Sequence, residues 1–303
     1  MRIVFFGTPE IAQGCLEELL DGGYNVVCVV TRADKPKGRG YKTEYSPVKK
    51  LALERGIETF QPVSLRNEEA RVRLSENSAD IFITCAYGRI FPSEILAIPP
   101  MGCVNVHASL LPAYRGASPI NRTIMNGEKT GGVTIMYMDE GIDTGDMILK
   151  RSMEIPDDMD FGGYYEALTD LGRKALREFF VLAEKGIINR EKQDDTAATY
   201  APKVEKEETP LDFSDTAEHI YNKIRGLCPV PCAHMMLAGK RCKIYKAVRG
   251  KLCDNIIPGT ILKADKNGIE IACGDNSIII TELQPDGKAK MTAAAFTAGN
   301  KVL

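Results

Sequence analysis

The 303 residues are 44% apolar and 26% charged with a net charge of -2, the balance of an ordinary globular chain of two-domain size. No apolar run is long enough to cross a bilayer, and the opening MRIVFFGTPE lacks the flanks of a secretory leader, so a cytoplasmic protein without a membrane partner is expected. Nine cysteines without a CxxC pair point to reduced thiols serving as small hydrophobes, and no metal site is expected.

RIVFF (2–6) reads as a first strand, followed by the turn GTP and the helical pattern PEIAQGCLEELLDGG, with Pro9 at its start and Gly22 at its end. NVVCVVT (25–31) is a second apolar strand. A long polar, basic stretch then leads to the helix VKKLALERG, to ETF, to a helical RNEEARVRLSEN, and to the strand DIFITCA (80–86). CVNVH and VTIMYM add strands, and YYEALTDLGRKALREFFVLAEKG is a long helix. This alternation predicts an α/β chain whose first part is a Rossmann-like, mostly parallel sheet over residues 1–185, with ligands beyond the strand ends. Polar, irregular residues 186–206 read as a linker. The remainder, 207–303, opens with the helix SDTAEHIYNKIRG and continues as short strands with Lys-Asn-Gly and Gly-Asp-Asn turns, predicting a small β-barrel of OB-like kind. From Pro210 onward thirteen Lys and Arg face nine Asp and Glu, a +4 segment on a chain of net -2, which fits a polyanionic partner as well as ordinary surface charge.

The chemistry concentrates in GCVNVHASLLPAYRGASP (102–119). Strand alternation puts Asn105 and His107 on one face of CVNVH, an amide and an imidazole donor side by side at a strand end. Such a pair can stabilise an oxyanion; a cap plus a core histidine is the bland alternative. A histidine in that role needs a carboxylate, and MDEGIDTGDM offers Asp139, Glu140, Asp143 and Asp146, among which spacing does not choose. There is no nucleophile elbow, no G-x-G-x-x-G and no Walker sequence, so the centre reads as acyl transfer by direct attack of an acceptor.

NVHASLLPAYRGASPI followed by TGGVTIMYMDEGIDTGDM resembles the folate-dependent formyltransferases, which carry Asn-x-His, an SLLP loop and a later catalytic Asp matching Asp143. The likeness also covers FFGTPE, GRG at 38–40, AYGRIFP and TYAPKVEKEETPLDFS, nearly the whole chain. It implies catalysis by Asn105, His107 and Asp143. It implies 10-formyltetrahydrofolate as formyl donor, bound by Ser109, Leu110, Leu111 and Pro112 and walled by Tyr87, Gly88, Arg89 and Ile90. The GRG loop and the additional C-terminal domain imply initiator methionyl-tRNA as acceptor, met by Arg39 with Lys37 and Lys42, and by Lys240, Arg241 and Lys243 in the second domain. Relatives acting on sugar nucleotides or glycinamide ribonucleotide, a formate-releasing hydrolase, and a non-catalytic RNA binder are the alternatives. No association element is visible, so a monomer is expected. One departure stands out: where the family has Asn-Pro-aromatic-Pro-Gly, this chain has Cys-Pro-Val-Pro-Cys (228–232), and it contains no Trp.

Overall fold

The computed structural model describes residues 1–37, 42–251 and 256–302. Its elements are, in order, β1 (Arg2–Gly7), α1 (Glu10–Asp21), β2 (Asn25–Val30), β3 (Lys35–Lys37), β4 (Lys42–Glu44), α2 (Pro47–Glu54), β5 (Thr59–Phe60), α3 (Glu68–Glu76), β6 (Ile81–Cys85), α4 (Ser93–Leu96), β7 (Cys103–His107), α5 (Pro119–Met125), β8 (Thr130–Tyr137), β9 (Met147–Glu154) and α6 (Phe161–Glu184). After these come α7 (Ala217–Leu227), β10 (Ala233–Leu237), β11 (Lys240–Arg249), β12 (Ile261–Asp265), β13 (Gly268–Ala272), β14 (Ser277–Pro285), β15 (Met291–Thr292) and α8 (Ala293–Ala298). The contacts divide the chain into two units. One comprises Met1–Pro119, Gly131–Met153 and Tyr165–Ala201; the other comprises Ile120–Thr130, Glu154–Tyr164 and Pro202–Leu303.

The first unit is built on a seven-stranded sheet in the order β5-β2-β1-β6-β7-β8-β9. Pairs β5-β2, β2-β1, β1-β6 and β6-β7 are parallel, and β7-β8 is antiparallel, so the expected mostly parallel α/β sheet is observed. Its central strands are apolar on both faces because both are covered. Val4 and Phe6 of β1 join Cys28, Phe82, Phe91 and Cys103 in one core cluster. On the other face α6 approaches closely enough that a Cβ on Gly172 would stand 3.4 Å from Val106 Cγ1. Registers Gly7↔Cys85 and Cys85↔Val106 bring the carboxyl ends of β1, β6 and β7 to one edge. The loops GTP, AYGRIFP and HASLLP therefore leave that edge together. Because β8 runs antiparallel, the loop after it starts beside Val104 instead.

The second unit holds a six-stranded sheet, β10-β11-β14-β13-β12 with β15 on β14, and every pairing is antiparallel. Register shifts in β11 (Ile244/Lys246 and Lys246/Ala247) and in β12 (Ile261/Lys263) bend the strands, as the curl of a small barrel requires. Ile220, Ile224 and Leu227 of α7 share a core with Ile244, Ile271, Ile280 and Leu283. In the Cys-Pro-Val-Pro-Cys segment, Cys232 takes φ 69, a left-handed conformation that favours glycine. The eight cysteines among the described residues are all buried and free, and Cys253 lies outside them. Among the described residues no helix is long and apolar enough to cross a membrane.

Candidate active site

β7 supplies two side chains on one face. Its backbone is locked between neighbours, with Asn105 opposite Thr84 of β6 and Met136 of β8, and His107 opposite Thr134. His107 is 5% exposed. Its Nε2 lies 3.1 Å from the carbonyl oxygen of Tyr114, which can only accept, so Nε2 carries a hydrogen and that donor is already in use. Its Nδ1 faces Asp143 Oδ1 at 3.6 Å, longer than a direct hydrogen bond. Asn105 is half-buried, and no described residue hydrogen-bonds its side chain. Of the donors expected from the sequence, the Asn105 amide is thus the one left open.

Asp143 is the carboxylate of the acidic loop that reaches His107. Asp139 instead closes its own turn, accepting from Gly141 N–H at 3.0 Å and Thr144 Oγ1 at 2.6 Å. Asp143 has φ 55, a strained position for a residue with a Cβ, and its Oδ2 accepts the Gly116 N–H at 2.9 Å. Gly116 itself has φ 121, and a Cβ there would press to 2.8 Å on the Ala201 carbonyl, so glycine is required where the carboxylate is held.

The SLLP loop is fixed by one hydroxyl. Thr134 is fully buried; its Oγ1 donates to the Ser109 carbonyl at 2.7 Å and accepts the Leu111 N–H at 3.1 Å. Ser109 Oγ donates to the Ala113 carbonyl at 2.6 Å, so this hydroxyl near His107 is committed to the loop and is not poised as a nucleophile. Leu111 packs with Met136 and Met147. Thr134→Val keeps shape but leaves both backbone groups unpaired, and is expected to cost about 1–3 kcal/mol in urea unfolding. An unchanged unfolding midpoint would contradict this account of the loop.

The AYGRIFP residues divide. Tyr87 is 1% exposed, its ring 5.5 Å from that of Phe6 and 6.1 Å from that of Phe91. Burial pushes its phenol above the usual range, and its hydroxyl is buried without a hydrogen-bond partner. Gly88 offers its carbonyl to Arg32 Nη2 at 2.6 Å, and Arg89 Nη1 donates to the carbonyls of Pro62 and Val63 at 3.0 and 2.6 Å. Ile90 is exposed and lines a cavity of about 520 Å³ with Leu65, Arg66, Phe91 and Glu140; that cavity does not include Asn105, His107 or Asp143.

Of the basic residues, Lys37 and Lys42 oppose each other in the β3–β4 pair, while Arg39 lies outside the described residues. In the second unit Arg241 and Lys243 alternate with buried Cys242 and Ile244, so both lie on the outer face of β11. Lys240 Nζ donates to Asn300 Oδ1 at 2.6 Å, and Arg241 stands 3.9 Å from Asp286. Three side chains that the sequence reading did not single out also reach the first-unit site: Arg115, Gln193 and Thr199, the last of which accepts the Tyr114 N–H at 2.9 Å. Gln193 and Thr199 come from residues 186–201, read as linker from the sequence and clustered with the first unit.

Residues 1–180 match the family model described as formyl transferase, and residues 203–301 match the one described as its C-terminal domain. A methionyl-tRNA formyltransferase of Acetivibrio thermocellus is 45% identical over 303 residues, covering 100% of this chain and 97% of that protein. One from Trichlorobacter lovleyi is 46% identical over 299 residues, covering 99% and 94%. Among solved structures, the N-formyltransferase of Helicobacter canadensis in complex with folinic acid and dTDP-3-aminofucose superposes with a TM-score of 0.70, covering 93% of this chain and 98% of that one. At 21% identity, that likeness is one of fold.

Proposed function

The chain belongs to the formyl transferase family, and from that premise we propose that it transfers the formyl group of 10-formyltetrahydrofolate to the α-amino group of initiator methionyl-tRNA, as a cytoplasmic monomer serving translation initiation. The observation that carries the reading is the Asn105 amide left open beside His107, whose Nδ1 faces the Asp143 carboxylate at 3.6 Å. The names of the full-length relatives support the acceptor.

In this reading the acceptor amine attacks the formyl carbon, forming a C–N bond and a tetrahedral centre. Asn105 donates to its oxyanion, and His107 Nε2–H joins it in exchange for the Tyr114 carbonyl. Asp143, beside the ring, takes part in moving one proton from the attacking nitrogen to the folate nitrogen, whose bond to the formyl carbon then breaks. Ser109 to Pro112 and the residues 87–90 border the donor, with Tyr87 acting from within the core. Lys37, Arg39 and Lys42, with Lys240, Arg241 and Lys243, meet tRNA phosphates.

Transfer of labelled formyl to initiator methionyl-tRNA, with elongator methionyl-tRNA and a nucleotide-linked aminosugar alongside, tests this. Initiator-preferring transfer is the expected result. No transfer to tRNA by folded, donor-binding protein would overturn the assignment, with aminosugar formylation pointing to another acceptor and free formate to a hydrolase.

A further inference from the structure

Gln193 touches no reacting group in the mechanism above, yet its amide spans the acidic loop. Its Nε2 donates to the carbonyls of Asp143 and Gly145, both at 2.8 Å, and its Oε1 accepts from Arg115 Nε at 3.0 Å. The orientation is unambiguous, since the guanidinium can only donate and the two carbonyls can only accept. Arg115 is 2% exposed and is held at its far end by Asp195 Oδ1 at 2.7 Å. Its backbone is pinned too, N–H to the Thr199 carbonyl at 2.9 Å and carbonyl to the Ala201 N–H at 2.7 Å.

The residues on either side of Arg115 hold the two members of the catalytic pair. The Tyr114 carbonyl accepts from His107 Nε2, and the Gly116 N–H holds Asp143 Oδ2. One buried side chain therefore connects three anchors: the histidine's acceptor, the carboxylate's donor, and the glutamine gripping the carboxylate's own backbone. Asp143 is left-handed at φ 55, a conformation that persists where its surroundings over-determine it, and the Gln193 clamp on residues 143 and 145 is such a surrounding.

We propose that Gln193 is a positioning residue for formyl transfer, working through Arg115 to set the separation between the Asp143 carboxylate and the His107 ring. This rests on the reading that these two side chains act in the transfer. A misplacement of about 1 Å at a reacting group can cost about a hundredfold in rate.

The test uses Gln193→Ala and Gln193→Glu. The glutamate fills the same volume and keeps an acceptor toward Arg115 while losing both donors, so it is read if the alanine variant is unstable. For either folded variant, kcat is expected to fall about a hundredfold while the KM values for donor and tRNA stay within about twofold of wild type. Histidine-selective ¹⁵N labelling gives the second readout: the chain has three histidines. At fixed pH the ring ¹⁵N chemical shifts of His107 are expected to move, and those of His219 and His234 to stay. A lowered melting temperature with wild-type kcat and unmoved His107 ring resonances would overturn the proposal. A wild-type protein that transfers no formyl would overturn the functional reading instead, and the His107 ring resonances would still decide whether Gln193 positions the ring and carboxylate.

Discussion

Asp143→Asn is expected to lower kcat for formyl transfer about 10²–10⁴-fold, the range for losing a positioned proton-transfer group, with fold and substrate binding retained. Asparagine is the informative replacement for three reasons. It matches aspartate in size, it is among the residues that best tolerate the left-handed backbone seen at φ 55, and its carbonyl oxygen can still accept the Gly116 N–H. What it cannot do is carry charge opposite His107 Nδ1 or take up a proton. Single-turnover rates, with donor and tRNA affinities measured alongside, separate chemistry from binding. A variant with the wild-type rate would remove Asp143 from the reaction.

Asn105→Ala is expected to reduce kcat about 10²–10³-fold, the usual cost of losing one oxyanion donor. Backbone pairing with β6 and β8 holds the residue in place, and no described residue depends on its amide. The stability change should therefore stay within about 0.5 kcal/mol. A large loss of stability with little loss of rate would make Asn105 a structural residue. The two variants probe different parts of one step, stabilisation of the developing charge and movement of the proton, so their effects are expected to be less than additive when combined.

Much of this centre was legible in CVNVH alone. A period of two puts Asn105 and His107 on one face wherever the strand lies, and apolar neighbours made the strand secure. The choice of Asp143 over Asp139, Glu140 and Asp146 was not legible from spacing. The family resemblance selects it, and the fold explains why spacing is mute: β8 is antiparallel, and its loop must fold back before one carboxylate meets the ring. Arg115, Gln193 and Thr199 are not legible because they lie on irregular backbone, joined across 50 to 85 residues of chain, where no periodicity exists to be read. The one local signal was Gly116 beside the SLLP segment. β9 is not legible for another reason. Its burial alternates weakly and fades into an exposed end, as edge strands do. α8, six residues of mostly alanine, carries too little pattern to register, although Thr292 caps it through the Ala295 N–H.

If the formyl group passes directly from donor to amine at Asn105, His107 and Asp143, no covalent formyl-protein species forms. Rapid-quench single-turnover experiments with formyl-labelled 10-formyltetrahydrofolate test it most directly. The expected result is no labelled protein at any time, no donor consumption without methionyl-tRNA, and a single phase of transfer when it is present, slowed about 10²–10⁴-fold in Asp143→Asn. Label trapped on the protein before it reaches the tRNA, or donor consumed in the absence of tRNA, would contradict it.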